Sequence, residues 1–298
     1  MSLSPVILFV YNRPEHTRQT IEALQKNELA KDSELFIFSD ESKNSDDLES
    51  VQMVRDYLKT ISGFKYISVI ERKENYGLAR SIVDGVTKII NLYDKVIVLE
   101  DDIVTSPNFL TFMNDALDFY QNEERVMHIS GYMFPVAEEL PETFFYGPAS
   151  CWGWATWKRA WKNYNDDASF LMKELEKTGR KKEFDLENSG VFLYQLRWNI
   201  DRKINSWAIK WYASIFLKRG LCLHPGKSLV NNIGHDGSGV HSGRSNCYTI
   251  NNLSHKIKID KIPLIESKKT RQLMINFYKK LRPSLFKRIF NLIKVIIK

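Results

Sequence analysis

The chain has 298 residues, 43% hydrophobic and 12% aromatic, which is enough for one large core with an appendage. Three scattered cysteines, Cys151, Cys222 and Cys247, exclude a disulfide framework or a cysteine zinc site and predict reduced structural thiols. The net charge of +7 is uneven: residues 256–298 carry +11, and the other 255 residues carry −4.

No run of about 18 apolar residues occurs, so no membrane-spanning helix is expected. Met1-Ser2-Leu3-Ser4-Pro5 shows no charged leader and no cleavage site, so no secretory signal is expected and a cytoplasmic location follows.

Pro5–Val10 predicts a buried first strand, ended by Tyr11-Asn12-Arg13-Pro14, with Pro14 suited to the first turn of a helix. Thr17, Ile21 and Leu24 follow at helical spacing. Leu35–Phe38 is a second strand closed by Ser39-Asp40, and Leu48, Val51, Val54 and Leu58 mark a second helix. Tyr66–Ile70 is a third strand, Asn75-Tyr76-Gly77 a turn, and Leu78, Ile82, Val86 and Ile89 a third helix.

Val96–Leu99 runs without a polar break, as a strand buried on both faces does. Glu100, Asp101 and Asp102 follow at once. Bare buried carboxylates would cost several kcal/mol each, so the cluster is expected to be exposed at the sheet's ligand-binding edge. Acidic clusters of this kind hold hard cations such as Mg²⁺ or Mn²⁺, usually with phosphates, although a solvated acidic turn reads the same way. Ser106-Pro107 predicts the start of a fourth helix, and Val126–Ser130 the next strand.

Five strands alternating with four helices over some 130 residues predict an α/β fold with a mainly parallel sheet. Asn12-Arg13, Asp40 and Glu100–Asp102 all follow strands, so they share one crevice at the carboxyl ends. A P-loop signature is absent, and no Gly-x-Gly-x-x-Gly follows the first strand. Gly234–Gly239 follows no strand–helix unit and reads as an ordinary loop.

Four pieces carry a resemblance: Val6–Pro14, Phe36–Asp40, Asn75–Arg80 and Val98–Phe109. Together they resemble nucleotide-sugar glycosyltransferases of the GT-A type. Within that group they are similar to bacterial polysaccharide transferases related to the eukaryotic N-acetylglucosaminyltransferase that begins complex N-glycans. The likeness is good over residues 5–135 and looser over 145–245. It implies a GT-A, Rossmann-like domain over residues 1–255, with a nucleotide-sugar half to residue 135 and an acceptor half from 136.

The resemblance also implies roles. Asp102 would meet a Mn²⁺ or Mg²⁺ ion, and Glu100 and Asp101 would hydrogen-bond the donor's sugar and ribose. Asn12, Arg13 and Asp40 would surround the nucleoside, with Asn75 in the same donor region. Arg80 would offset diphosphate charge, or equally be a solvated helix-face charge. His241 resembles a late histidine that touches metal or diphosphate in some GT-A enzymes, and equally reads as a hydrogen-bonded loop residue.

Cys151–Trp161 concentrates four tryptophans. Trp154, Trp157 and Trp161 fall at i, i+3 and i+7, which predicts a buried helix face, while Trp152 and Gly153 precede it as acceptor-site candidates. Residues 162–190 are charged and poorly patterned, and Arg180–Glu183 reads as a solvated loop.

An inverting transferase needs a carboxylate within hydrogen-bond reach of the acceptor hydroxyl. The family's place for it is matched by Asn205-Ser206-Trp207, which has no acid. Asp201, one helical turn earlier, is the first substitute and Asp236 the second; each alone reads also as a surface acid.

Residues 256–298 form a basic tail. Leu285, Phe286, Ile289, Leu292, Ile293, Ile296 and Ile297 make an apolar face among Lys and Arg, which suits a helix lying on an anionic membrane, or one packed on the body or on a second subunit. No nucleic-acid recognition module accompanies the basic residues. The expectation is a metal-dependent, inverting glycosyltransferase at the inner face of the cytoplasmic membrane. It would take a nucleotide-diphosphate sugar and a glycan or lipid-linked acceptor in surface polysaccharide synthesis. A sugar-nucleotide nucleotidyltransferase and an inactive carbohydrate-binding relative are the alternatives.

Overall fold

The computed structural model describes residues 2–236, 247–250, 252–254 and 256–281. Its first half alternates as the sequence predicts: β1 (Val6–Val10), α1 (Pro14–Gln25), β2 (Glu34–Ser39), α2 (Leu48–Leu58), β3 (Tyr66–Glu71), α3 (Gly77–Tyr93) and β4 (Lys95–Glu100). There follow β5 (Ile103–Thr105), α4 (Phe109–Phe119), β6 (Val126–Ser130), β7 (Thr143–Tyr146), β8 (Trp154–Trp157), α5 (Lys158–Trp161), α6 (Ala168–Lys177) and α7 (Lys181–Phe184). The chain continues through α8 (Phe192–Ile200), α9 (Trp207–Leu217), β9 (Leu221–Pro225), β10 (Val230–Asn232) and α10 (Lys268–Leu281).

One eight-stranded sheet runs in the order β3-β2-β1-β4-β8-β6-β9-β7. The first four strands are mutually parallel, β8 opposes both its neighbours, β9 is parallel to β6, and β7 is antiparallel at the edge. The fold is therefore an α/β layered domain with a mostly parallel central sheet. Strands β1, β2 and β4 are buried on both faces, while β3 at the sheet edge is largely exposed. Val6, Leu8 and Val10 face one core with Ile97 and Leu99, joined by residues of α1, α2 and α4. Ile7, Phe9, Val96 and Val98 face a second core with residues of α3 and α9. This two-sided burial explains the unbroken apolar runs in the sequence.

Three local expectations are corrected. Helix α4 starts at Phe109 rather than at Ser106-Pro107, and Asn108 is its N-cap residue without a side-chain cap bond. The orphan N–H of Leu110 is taken instead by Asn27 Oδ1 at 2.9 Å, from the end of α1. A cap supplied from 83 residues away has no local signature. The tryptophan run is a strand, not a helix, as far as Trp157. β8 lies in mid-sheet, with Trp154 in the second core and Ala155 and Trp157 in the first. A strand buried on both faces carries apolar residues at every spacing, so i, i+3 arose without a helix. Residues 162–190 hold two helices, and Arg180–Glu183 is an i, i+3 ion pair at the start of α7 rather than a loop.

The chain crosses residue 256 without leaving the body. Glu266 bridges Phe145 beside the edge strand β7, and Met274 and Ile275 of α10 are buried with Met133, Phe144 and Tyr146. Arg271 donates to Glu183 O at 2.8 Å and pairs with Glu187 at 3.2 Å. Residues 256–281 thus pack on the body. The apolar face expected over 285–297 lies outside the described residues. Among the described residues, no helix is long and apolar enough to cross a membrane.

Candidate active site

The parallel pairing of β1 with β4 sets Phe9 opposite Glu100, which brings the turn after β1 level with the acids after β4. Arg13 reaches across that gap. Its Nη2 donates to Asp101 Oδ1 and, at 2.9 Å, to Asp102 Oδ2. Asp101 and Asp102 are consequently 4% and 8% exposed, so the expected exposure of the cluster is corrected. Two carboxylates can be buried here because a planar guanidinium beside them offsets the desolvation cost with hydrogen bonds and charge.

The electrostatics follow from this burial. Glu100 is pushed up to about 8, first by burial and then by the charges of Asp102 and Asp101. Burial also raises Asp101, opposed by Arg13. Burial works against the charge of Arg13, but Asp101 and Asp102 outweigh it and keep the guanidinium protonated. Thr20 of α1 holds the backbone at this point by donating to Asp101 O at 2.8 Å.

A second segment closes over the acids. β10 pairs antiparallel with β5, so Asn232 lies opposite Ile103, and Ile233 N donates to Asp102 O at 2.9 Å. Gly234 then passes Asp102 so closely that a Cβ on it would stand 2.9 Å from Asp102 Cγ and 3.0 Å from Arg13 Nη1. Asp236 Oδ2 comes 3.2 Å from His16 Nε2 on α1. The ring of His235 stands 5.2 Å from that of Trp152 and 5.0 Å from that of Tyr248. Burial lowers the pKa of His235, opposed by Asp102, and its Nε2 is buried without a hydrogen-bond partner among the described residues.

The fold therefore brings together Arg13, Asp101, Asp102, Trp152 and Asp236 from the expected site residues. Gly153 is buried beneath them at φ +62°, where a Cβ would meet Val230 and Phe109 at 3.0 and 3.1 Å; it shapes the turn that presents Trp152. His16, His235 and Tyr248 join the group and were missed. For His16 a signal existed: it lies three residues after Arg13 on the same helix, hence on the same face.

A neighbouring group forms at the ends of β2 and β3. Both oxygens of Asp40 accept backbone N–H groups, from Tyr76 and Gly77 at 2.9 Å each, so Asp40 caps α3 from outside the helix. Asn75 donates to Glu41 O, and Asn12 donates to Asp47 Oδ1 at 2.7 Å. Asp47 also accepts from Tyr11, which is pushed up to about 12 by burial and by that bond. Arg80 pairs with Glu74 at 3.1 Å and lies 3.7 Å above the Tyr76 ring.

Among the described residues, Asp201 makes no hydrogen bond or ion pair with either group. It is the C-cap residue of α8, partly exposed, and pairs with Lys203 at 3.3 Å. His241 lies outside the described residues. Among the described residues, no three His, Cys, Asp or Glu side chains stand together as a metal cage. The chemistry of the set still suits Mg²⁺ or Mn²⁺, which bind through one or two carboxylates with waters and substrate phosphates rather than through an all-protein cage.

No curated protein matches the chain. Among solved structures, a mannosyltransferase from Pyrobaculum calidifontis in complex with GDP-Man and Mn²⁺ is 13% identical with a TM-score of 0.37, over 59% of this chain and 47% of that one. TarS of S. aureus is 18% identical with a TM-score of 0.34, over 48% of this chain and 25% of its own. A UDP-glucose pyrophosphorylase complexed with UDP-glucose is 12% identical with a TM-score of 0.34, over 75% of this chain and 90% of that one. The chain thus spans less than half the length of the first two, and likenesses at these scores carry no argument about activity. The family likeness rests on the half that holds the Arg13–Asp101–Asp102 cluster: residues 6–128 match the model of Glycosyl transferase family 2.

Proposed function

We propose that the protein is a metal-dependent, inverting glycosyltransferase that takes a sugar from a nucleotide-diphosphate donor. The observation that carries this reading is the Arg13–Asp101–Asp102 cluster at the carboxyl ends of parallel strands, inside the segment that matches the glycosyltransferase family. The eukaryotic N-acetylglucosaminyltransferase relationship belongs to this proposal, as do a glycan or lipid-linked acceptor, surface polysaccharide synthesis and a place at the inner membrane face.

Asp102 would hold Mn²⁺ or Mg²⁺, with His241 as a second candidate ligand. When bound, such an ion neutralises charge that develops on the leaving diphosphate. Glu100 and Asp101 orient the donor's sugar and ribose, and Arg13 keeps the two aspartates in place. Asn12, Asp40 and Asn75 shape the nucleoside side, with Arg80 at the diphosphate. Trp152, on its Gly153 turn, offers an aromatic wall to the acceptor.

Of the two candidate bases, Asp236 is favoured over Asp201. It sits on the segment that crosses Asp102 and faces His16, whereas Asp201 ends an outer helix and is held by Lys203. Asp236 would take the proton of the acceptor hydroxyl as its oxygen forms the bond to the anomeric carbon. The bond to the diphosphate breaks on the opposite face of the sugar, so the configuration inverts.

The test is a panel of nucleotide sugars incubated with the full chain and Mn²⁺, with release of nucleoside diphosphate and free sugar read out. Release that chelation abolishes is the expected result. Formation of nucleotide sugar from sugar phosphate and nucleoside triphosphate would replace this reading with nucleotidyl transfer. Silence with every donor would leave a binding protein.

A further inference from the structure

The Arg13 guanidinium straddles two carboxylates. Nε donates to Asp101 Oδ2 at 3.4 Å, and Nη2 reaches both Asp101 Oδ1 and, at 2.9 Å, Asp102 Oδ2. The side chains of Asp101 and Asp102 are only 6% and 11% exposed, and that of Arg13 is 18% exposed. Gly234 closes the other side of Asp102 Oδ2, and its backbone leaves no room there for a methyl group. Asp102 is therefore already engaged by a cation, and that cation belongs to the chain.

This arrangement sets the guanidinium against the metal ion of the proposed function. An ion bound to Asp102 would share that carboxylate with Arg13, and like charges at one buried carboxylate repel strongly because little water screens them. Arg13 cannot simply let go, since a buried charge without a partner is costly. A diphosphate resolves the conflict, because its oxygens accept from a guanidinium fork as a carboxylate does. The backbone can stay where it is. Thr17 N donates to Arg13 O at 2.9 Å and Thr20 donates to Asp101 O at 2.8 Å, so only the Arg13 side chain has to turn. Its Nη1, on the side of Gly234, makes no hydrogen bond among the described residues, which leaves a donor for a phosphate oxygen.

We infer that Arg13 is an exchangeable counter-ion for Asp102: it holds the carboxylate in the metal-free protein and passes to the donor's diphosphate when the ion binds, so that metal and nucleoside diphosphate bind as a unit. This exchange rests on the glycosyltransferase reading and adds to it a residue that couples the two ligands. Arg13 then supports the acids in the metal-free protein but competes with the ion. The two roles differ in sign. Removing a mere support loosens Asp102 and weakens Mn²⁺ binding; removing a competitor frees Asp102 and strengthens it. Whatever factor nucleoside diphosphate adds to Mn²⁺ affinity, Mn²⁺ must add to nucleoside diphosphate affinity, and that shared factor shrinks once Arg13 is gone.

The test measures Mn²⁺ bound to the full chain, by loss of the free-ion signal in electron paramagnetic resonance, alone and with UDP, GDP or TDP. The parent should bind Mn²⁺ weakly alone and about tenfold or more tighter with one of these nucleotides. Arg13→Gln should bind Mn²⁺ alone about tenfold or more tighter than the parent does, and keep little of the further gain from nucleotide. Arg18→Gln removes the same charge from the same helix, but its partners are Glu15 and Glu22, so Mn²⁺ affinity should stay within about twofold. A second measurement does not depend on Arg13→Gln folding. In ¹⁵N spectra of the parent, the Arg13 Nε–H signal, identified by its loss in Arg13→Lys, should shift with Mg²⁺ and nucleotide together and much less with either alone. The exchange is overturned if Arg13→Gln binds Mn²⁺ alone no better than the parent, if Arg18→Gln gains as much, or if the Arg13 signal ignores Mg²⁺ and nucleotide together. A parent that binds no Mn²⁺ with any nucleotide would remove the metal reading and the exchange with it. Coupled binding of Mn²⁺ and nucleotide that Arg13→Gln leaves intact would remove the exchange alone.

Discussion

His16 on α1 and Asp236 after β10 meet at 3.2 Å, which ties the first helix to the segment that crosses Asp102. This contact spans most of the domain's sequence and makes the acidic strand end an enclosed site rather than an open turn. The consequences can be measured one residue at a time.

Asp102→Asn is expected to abolish the mutual strengthening of Mn²⁺ and nucleoside diphosphate binding. The substitution keeps size and a hydrogen-bond acceptor for Arg13 but removes the anionic ligand. Calorimetry with and without chelator checks it. Equal nucleotide affinity in parent and variant at all metal concentrations would remove Asp102 from the role.

Asp236→Asn is expected to lower turnover by roughly 10²–10⁴-fold, the usual worth of a general base, while donor affinity changes little. Asp201→Asn should leave turnover near the parent's, because that carboxylate is engaged by Lys203 on an outer helix. Initial rates with saturating donor decide between them. The reverse ranking would return the role to Asp201.

Gly234→Ala is expected to disable the site without touching any charged group. The new methyl carbon would overlap Asp102 on one side and press on Arg13 on the other, and their ion pair limits how far either side-chain end can give way. Nucleotide affinity and melting temperature should both fall. A variant with parental affinity for metal and nucleotide would show that the segment lifts away from Asp102 in solution.

Acid should destabilise the fold through two buried histidines. His128 and His224 are lowered to about 3 and about 4, chiefly by burial. In the unfolded chain both return to about 6.5, so there the unfolded state binds more protons and stability rises with pH. Their neutral forms therefore stabilise the fold fully above about 6.5, and this contribution is lost as pH falls toward the folded values. The slope is about 1.4 kcal/mol per pH unit for each histidine. Urea midpoints from pH 7 to 4 read it. Flat midpoints would mean that the pair is hydrated and titrates normally.

Truncation separates the docked part of the basic segment from the rest. A chain ended after Leu281 should melt like the full chain and bind anionic vesicles less well. A chain ended near Asn252 should melt lower, because it loses the buried Met274 and Ile275; removing core side chains of this size typically costs about 2–5 kcal/mol each. Equal melting of the two truncated chains would show that α10 contributes nothing to the body.

The sequence by itself determined the alternation of β1–β4, α1–α4 and β6, though not the short strand β5, because buried strands leave unbroken apolar runs and their helices leave 3.6-residue stripes. It also determined that Arg13, Asp40 and Glu100–Asp102 end neighbouring strands, since parallel strands all finish at one edge. Tertiary structure alone decided what those residues do there. Asp101 and Asp102 are buried because Arg13, 88 and 89 residues away, supplies the countercharge. Asp40 is bound to the start of α3, 36 residues on. Helix α4 begins where Asn27 caps it, and Trp154–Trp157 is a strand because β4 and β6 flank it. Asp236, ranked behind Asp201 on sequence, meets His16 on the segment that the pairing of β10 with β5 carries across Asp102. Local pattern records which faces of an element are apolar; hydrogen bonds and ion pairs between distant segments depend on which ends the folded sheet brings together, and no spacing within one segment encodes that.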